Sequence, residues 1–263
     1  MLLCQISDPH LVARGTLAYG RVDTPRMLEQ AVRKVRTMPR RPDLVVATGD
    51  LTDNGTAEEY GLLAELLAPL DMPVYLAVGN HDDRAALQAA FPRQRHLHGE
   101  DGFVQYVVEE FAVRLIVLDT LIPGAPGGHL CERRLRWLER MLGASDRPTV
   151  IAQHHPPFET GLTVMDRMTL KNPAEEAAVV ERHPQVERII SGHYHRTIHA
   201  RFGGTIASVC PSVAHQLLLN LVPGADIGFA FEPSAFQLHL WNGAELVTHT
   251  MVVEDFPSWG ARA

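Results

Sequence analysis

Residues 44–50 read LVVATGD, a short apolar run that ends in a glycine and an aspartate. Runs of this kind recur along the chain, and each is followed closely by Gly, Asp, Asn or His. Their short length and their content of β-branched residues predict buried strands. The predicted strands span residues 2–6, 44–47, 74–78, 115–118, 150–152 and 186–190.

Helical patterns lie between these runs. Thr24 followed by Pro25 predicts a capped helix start, and Thr56 with Glu59 three residues later has the spacing of a capping box. Two further predicted helices cover residues 133–142 and 174–181. Strands that alternate with helices indicate an α/β fold. After residue 195 the strand candidates lie closer together, at 205–209, 236–241 and 246–252, which indicates a second layer of sheet.

The composition restricts the function classes. A chain of 263 residues with 46% hydrophobic content can bury a large core, and we expect one domain over residues 1–263. The net charge of −7, without a run of Lys and Arg, argues against extended nucleic acid as a partner. No segment reaches the roughly 20 apolar residues of a membrane span. Three scattered cysteines form no disulfide framework, which favours a reducing compartment, and we expect a cytoplasmic protein.

Five predicted strands in succession end next to side chains that can bind a metal. Because the carboxyl ends of strands in an open α/β sheet face one crevice, we expect the five following loops to converge. The loops carry, in chain order, Asp8 and His10; Asp50; Asn80, His81 and Asp82; His154 and His155; and His193 and His195.

The side-chain types indicate which ions could bind. Carboxylate, imidazole and amide groups without a thiolate suit divalent or trivalent iron, manganese, zinc or cobalt. The candidate ligands exceed what one ion needs, so a pair of ions that share a bridging carboxylate uses them better. Two-metal sites of phosphatases place their ions about 3.5–4 Å apart.

Each of these residues also has an ordinary explanation. Asp50 and Asn80, taken singly, are equally typical of turns at strand ends. With 14 histidines in the chain, isolated ones are expected to be surface or hydrogen-bonded residues. The isolated ones are His183, His199, His239 and His249. One shared site explains five ligand-bearing strand ends better than five independent turns do.

The same residues resemble the signature of the calcineurin-like metallophosphoesterases. All five blocks of that signature occur here in the family's order: Asp8-Pro9-His10, Gly49-Asp50, Gly79-Asn80-His81-Asp82, His154, and Gly192-His193-Tyr194-His195. Outside these blocks the chain is similar to the bacterial branch that contains class III cyclic-nucleotide phosphodiesterases and glycerophosphodiesterases. Those features are Tyr19-Gly20 with Asp23-Thr24, Glu59-Tyr60, His154-His155-Pro156-Pro157, the segment 165–172, and Cys210-Pro211-Ser212.

The resemblance implies a four-layer αββα sandwich, in which two sheets lie face to face with helices outside. It also implies roles for the candidate ligands. Asp8, His10 and His195 hold one ion; Asn80, His154 and His193 hold the other; Asp50 bridges them. His81 lies just outside the metal ligands and faces the phosphate. Residues 210–232 are expected to form a lid or a dimer contact.

A water molecule that is shared by two cations loses a proton near neutral pH and becomes the attacking hydroxide. Asn80 and His81 can stabilise the charge that develops on the phosphate, and His81 can protonate the leaving oxygen. The expected activity is hydrolysis of small phosphodiesters, either 3′,5′-cyclic nucleotides such as cAMP or glycerophosphodiesters. The alternatives are a phosphomonoesterase, a nuclease or protein phosphatase on the same metal core, and a non-catalytic scaffold.

Overall fold

The computed structural model describes residues 1–257, 259 and 260. Within them the α-helices are α1 Thr24–Thr37, α2 Ala57–Leu67, α3 Arg84–Ala90, α4 Glu132–Gly143 and α5 Pro173–Val180. The strands are β1 Leu2–Ile6, β2 Leu44–Thr48, β3 Val74–Ala77, β4 Tyr106–Val108, β5 Arg114–Val117, β6 Thr149–Ala152, β7 Val186–Ser191, β8 Ile198–Phe202, β9 Thr205–Val209, β10 Gln216–Leu217, β11 Phe229–Ala230, β12 Ala235–Trp241 and β13 Leu246–Val252.

Two large sheets form the centre of the molecule. The first has the strand order β13-β12-β1-β2-β3, and the second has the order β4-β5-β6-β7-β9-β8. The sequence suggested that the strands after residue 195 form a layer of their own, and this expectation is wrong. Instead β12 pairs antiparallel with β1 in the first sheet, whereas β9 pairs parallel with β7 in the second. Each sheet therefore combines parallel strands that precede residue 195 with strands that follow it.

The central strands β5, β6 and β7 of the second sheet are buried on both faces, which explains their continuous apolar runs. Leu115 and Val117 of β5 join the core that lies between the two sheets. Ile116, which points the other way, joins a second core with Trp137 and Leu138 of α4. Strands of this kind need a helix layer outside them.

Helices cover the first sheet in the same way. Leu28 and Val35 of α1 and Leu63 of α2 belong to the core that contains β1, β2 and β3. The layers are thus helix, sheet, sheet and helix, which confirms the expected αββα sandwich. In the described part of the chain, no helix combines the length and apolar character that crossing a bilayer requires.

The N-terminal cap of α2 is as expected, whereas that of α1 is not. The capping box of α2 is confirmed, because Thr56 Oγ1 accepts from Glu59 N at 3.3 Å and Glu59 Oε2 accepts from Thr56 N at 3.1 Å. The predicted cap Thr24 is wrong. Asp23 caps α1 by accepting from Arg26 N at 3.2 Å, and the Thr24 hydroxyl accepts from Val12 N at 3.2 Å instead.

A buried glutamine joins the two sheets close to their shared edge. Gln5 of β1 donates through Nε2 to Thr48 Oγ1 in the same sheet and to Ser191 O in the second sheet, both at 2.9 Å. Its Oε1 accepts from His239 Nε2 at 3.1 Å, so this isolated histidine is a hydrogen-bonded core residue, as expected. These contacts fix the carboxyl end of β7 against those of β1 and β2.

We expect Glu176→Gln to reduce the loss of stability at alkaline pH. Glu176 of α5 is fully buried, and burial raises its pKa to about 8. A carboxyl whose pKa is raised in the folded state contributes stability at low pH, which is lost as the pH rises from about 4.5 to about 8. Between pH 5 and pH 8.5 the wild type should lose more free energy of unfolding than the variant, by on the order of 1 kcal/mol or more.

Urea unfolding at both pH values measures this difference. Glu175→Gln, on the exposed side of the same helix, is the matched control and should follow the wild type. Identical pH dependence in all three proteins would show that Glu176 ionises normally.

Candidate metal centre

The candidate ligands of both sheets meet at one edge of the molecule. Backbone hydrogen bonds hold their loops together: His10 N donates to Asp50 O at 3.0 Å, and Gly192 N donates to His154 O at 3.0 Å. A third link crosses between the sheets, because His193 N donates to Asp8 Oδ1 at 3.0 Å. The expected convergence of the five loops is therefore present, although the loops come from two sheets and not from one.

One group of donors consists of Asp8, His10 and His195, whose ligand atoms lie within 4.8 Å of one another. His10 Nε2 lies 3.1 Å from His195 Nε2, and His195 Nε2 lies 3.4 Å from Asp8 Oδ1. All three side chains are buried. This group can surround one cation.

A second group of donors lies next to the first. His154 Nε2 is 3.1 Å from Asn80 Oδ1, and the His154 and His193 rings are 5.0 Å apart. Asp50 lies between the two groups, because its Oδ2 is 3.3 Å from His154 Nε2 and 3.5 Å from His10 Nε2. One carboxylate can therefore reach a cation in either group.

The histidine tautomers show that these donors fit cations. The Nδ1 atoms of His154 and His195 each face a backbone carbonyl, Thr48 O at 2.8 Å and His215 O at 2.9 Å. Since a carbonyl only accepts, these Nδ1 atoms carry protons, and the Nε2 atoms point into the site, where each can bind a cation once it is deprotonated. His193 Nε2 is buried without a hydrogen-bond partner in the described structure. A cation can therefore bind between the nitrogens that point into the site.

Burial and neighbouring charges set the protonation states of the donors. Burial, with a smaller contribution from His154, lowers the pKa of His193 to about 3, so this imidazole is neutral. Burial opposes the ionisation of Asp8, but His195 outweighs it and brings the pKa of Asp8 to about 2. Burial likewise lowers the pKa of His154, but Asp50 raises it to about 9. A proton therefore competes with a cation for His154, and metal affinity should rise with pH.

The backbone is strained at most of the candidate ligands. Five of them have left-handed φ angles: Asp8 at 51°, His10 at 43°, Asp50 at 45°, His193 at 74° and His195 at 49°. Such conformations are uncommon for residues with a side chain and concentrate at functional sites.

The glycines that precede these ligands allow the loops to approach closely. A Cβ on Gly79 would lie 2.2 Å from Asp50 Oδ1, and one on Gly192 would lie 2.1 Å from Ser7 Oγ.

His81 is turned toward an open pocket. Its backbone N donates to Asp50 Oδ1 at 2.9 Å, and its Nδ1 donates to Asp53 O at 2.8 Å. Its Nε2 is therefore left to face the pocket, where the side chain is 35% exposed. Burial lowers the pKa of His81, but Asp50 and Asp53 together outweigh it and raise the pKa overall.

The pocket has two kinds of wall. Its floor is polar and consists of His10, Asp50, Asn80, His81, His193 and His195, and the pocket encloses about 500 Å³, including its open mouth. The opposite wall is apolar and consists of Pro126, Met165, Met168, Leu217, Ile227 and Phe229. The polar floor can bind a charged group while the apolar wall contacts what is attached to it.

Asp82 and His155, the remaining candidates in the five loops, have structural roles. Asp82 accepts from Gly79 N at 2.8 Å and from Tyr60 OH at 2.8 Å, so it fixes the loop below Asn80. His155 uses both ring nitrogens, Nδ1 with Thr120 Oγ1 at 2.8 Å and Nε2 with Pro126 O at 3.2 Å. His155 therefore has no lone pair left for a cation.

The sequence analysis missed two residues of the site. Asp53 accepts from His10 Nδ1 at 3.0 Å and so orients that ring; it lies three residues after Asp50, a spacing that could have suggested it. His215 packs 4.8 Å from the His195 ring, and both of its nitrogens are buried without a partner in the described structure. A single histidine in a loop gave no signal. Tyr19, noted only through the resemblance, lines the pocket and stacks on Phe229 at 4.9 Å.

A family model described as calcineurin-like phosphoesterase matches residues 1–197. The chain belongs to the calcineurin-like phosphoesterase family. Similar family members include a probable glycerophosphodiester phosphodiesterase from Arcobacter nitrofigilis, which is 36% identical over 97% of this chain and 94% of the relative. A probable cyclic nucleotide phosphodiesterase from Rhodopseudomonas palustris is 39% identical over 87% of this chain and 84% of the relative. The resemblance read from the sequence is thus confirmed.

Solved structures agree on the fold. A dimetal phosphatase from Danio rerio superposes with a TM-score of 0.70, with 97% of each chain covered and 15% sequence identity. At that identity the match supports the calcineurin-like architecture alone. Together with the buried Asp and His groups, the family fits binding of divalent metals.

We expect the isolated protein to bind two metal ions per chain and Asp50→Ala to weaken both together, because Asp50 lies between the two donor groups. Asp53→Ala is the comparison variant and should have a smaller effect on metal binding. It removes only a partner that orients His10, so metal affinity should fall by about 10–100-fold at one position and stay normal at the other. Metal content after dialysis, measured by atomic emission on proteins with native circular dichroism, tests both. Two tightly held ions in Asp50→Ala would rule out a bridging role.

Proposed function

We propose that this protein is a two-metal phosphodiesterase that hydrolyses small phosphodiesters, either 3′,5′-cyclic nucleotides or glycerophosphodiesters. The observation that carries the proposal is Asp50 Oδ2, which lies within 3.5 Å of an imidazole nitrogen from each donor group. Such a carboxylate suits a pair of cations better than a single one. The names of the relatives from Arcobacter nitrofigilis and Rhodopseudomonas palustris support the two substrate classes.

In this proposal Asp8, His10 and His195 hold one ion, and Asn80, His154 and His193 hold the other, with Asp50 shared. The ions are iron, manganese, zinc or cobalt, because the donors are imidazole, carboxylate and amide groups without a thiolate. When bound, such a pair would lower the pKa of a water molecule enough for that water to lose a proton and serve as the nucleophile at neutral pH. Water adds across one P–O bond, so a glycerophosphodiester gives a phosphomonoester and an alcohol, whereas a cyclic nucleotide gives one product that carries both the phosphomonoester and the freed hydroxyl.

The chain's own residues orient the substrate and manage its charge. The Asn80 side chain and His81 Nε2 line the same pocket, next to the proposed position of the phosphate. His81 keeps its Nδ1 proton on Asp53 O, so a protonated Nε2 can donate to a phosphate oxygen or to the leaving oxygen. The raised pKa of His81 favours that protonated form.

We expect His81→Ala to retain its metal ions and to lose about 10²–10³-fold in kcat, the scale for removing one preorganised donor to a transition state. The physical reason is that His81 faces the pocket without filling a position in either donor group. Metal content and kcat on bis(4-nitrophenyl) phosphate are measured on the same preparation. His98→Ala, an exposed histidine outside the pocket lining, is the matched control. Wild-type turnover, or loss of an ion, in His81→Ala contradicts the role.

We also expect diesters to be hydrolysed better than monoesters. A monoester dianion has one more negative charge and can sit across both ions, which stabilises the ground state as well as the transition state. A diester needs room on both sides of phosphorus, and the apolar wall with Met165 and Met168 supplies one side. The comparison is kcat/KM for bis(4-nitrophenyl) phosphate and 4-nitrophenyl phosphate with the same metal. A preference for the monoester assigns the protein to the phosphomonoesterases.

The segment 210–232 has features that support a lid or a contact with a second copy. It begins in the buried Cys210 and ends in exposed apolar residues, with Phe231 70% exposed. Phe229 reaches the pocket and stacks on Tyr19.

We infer a single domain, because β12 and β13 return to the first sheet after this segment. Three free cysteines, two of them buried, are consistent with the cytoplasm.

A further inference from the structure

A narrow apolar cleft opens from the wall of the metal pocket. Met165, Leu217 and Ile227 line both spaces, so the cleft adjoins the pocket that holds the candidate ligands. The cleft encloses about 280 Å³, including its open mouth. The cleft therefore lies within reach of a group that is attached to a phosphate at the metal centre.

The walls of the cleft are aliphatic. Beyond the three shared residues, they are formed by Leu162, Val164, Leu218 and Ala225. Asn220 and Asp226, the polar residues that also contribute, are exposed to solvent. Among the lining residues, all of which the structure describes, there is no Lys, Arg or His. The cleft thus offers a second phosphate no cationic partner, and its aliphatic walls do not match the hydroxyls of a sugar.

The outer wall of the cleft is a fixed turn. Residues 218–228 are closed by Leu218 N, which donates to Gly228 O at 2.7 Å, and lie between the paired strands β10 and β11. Gly224 N donates to Thr163 Oγ1 at 2.8 Å, which ties the turn to the opposite wall. The apolar surface is therefore held open next to the site by specific hydrogen bonds.

We propose that the cleft holds an apolar, chain-like substituent of the phosphodiester, an alkyl or acyl chain, while the phosphate lies at the metal centre. The inference rests on the proposed phosphodiesterase function and adds a substrate class to it. Each methylene that leaves water for such a cleft improves binding by about fourfold. The gain should stop when the chain has filled the cleft.

The test is a series of methyl, butyl and hexyl 4-nitrophenyl phosphates, assayed with the manganese-reconstituted protein. From methyl to hexyl we expect kcat/KM to rise at least about tenfold, mainly through a lower KM, since the chain is bound equally in ground and transition states. Methyl and hexyl esters of methylphosphonic acid, added as inhibitors, should show the same ratio in their inhibition constants. Equal values along the series would overturn the inference.

Two neighbouring leucines provide a matched pair of variants. Leu218 lines the cleft, whereas Leu219, which is similarly exposed at 55% against 50%, does not. Leu218→Ser should reduce the hexyl-to-methyl ratio several-fold, and Leu219→Ser should keep the wild-type ratio. The same loss in both variants would assign the effect to the turn as a whole and overturn the cleft as the subsite.

The methyl ester separates this inference from the proposed function. If it is hydrolysed but chain length has no effect, the subsite is wrong and the phosphodiesterase activity stands. If no member of the series is hydrolysed while both metal ions are bound, the phosphodiesterase proposal fails, and the subsite fails with it.

Discussion

The constraint on which the structure depends is the meeting of acceptor atoms around Asp50. The side chains of Asp50, His10 and His154 are almost fully buried, and their ligand atoms approach within 3.5 Å. Asp50 raises the pKa of His154 and so holds a proton on that imidazole; without the proton the facing lone pairs would repel in a medium that screens poorly. The chain holds them there because each imidazole is anchored on its other side, His10 by Asp53 and His154 by Thr48 O. A cation that displaces the proton from His154 turns this arrangement into a binding site.

The two-sheet architecture makes that arrangement possible. The first sheet delivers Asp8, His10, Asp50 and Asn80, and the second delivers the histidines that complete both groups. Gln5 connects the sheets near the ligand edge, and the hydrogen bond from His193 N to Asp8 connects them at the edge itself. The strained φ angles of the ligands persist because these contacts and the surrounding core determine the loop positions.

The polar and the apolar sides of the pocket come from different parts of the chain. Its polar floor comes from strand ends of the calcineurin-like core, whereas its apolar wall comes from the segments around Met165 and 217–229, which lie outside those strand ends. In the proposed function the floor binds the phosphate of the ester. The wall contacts the substituent in that proposal, which is how members of one family can keep similar floors and differ in substrate.

The sequence by itself determined the strand ends, the ligand-type residues that follow them and the capping box of α2, because each depends on residues close together in the chain. Only the tertiary structure decided that β12 joins β1 while β9 joins β7, since both pairings are long-range. It also decided that Asp23 and not Thr24 caps α1, because the Thr24 hydroxyl is taken by Val12 N. His215 belongs to the site for the same reason: its carbonyl accepts from His195, twenty residues away, and no local pattern reports that contact.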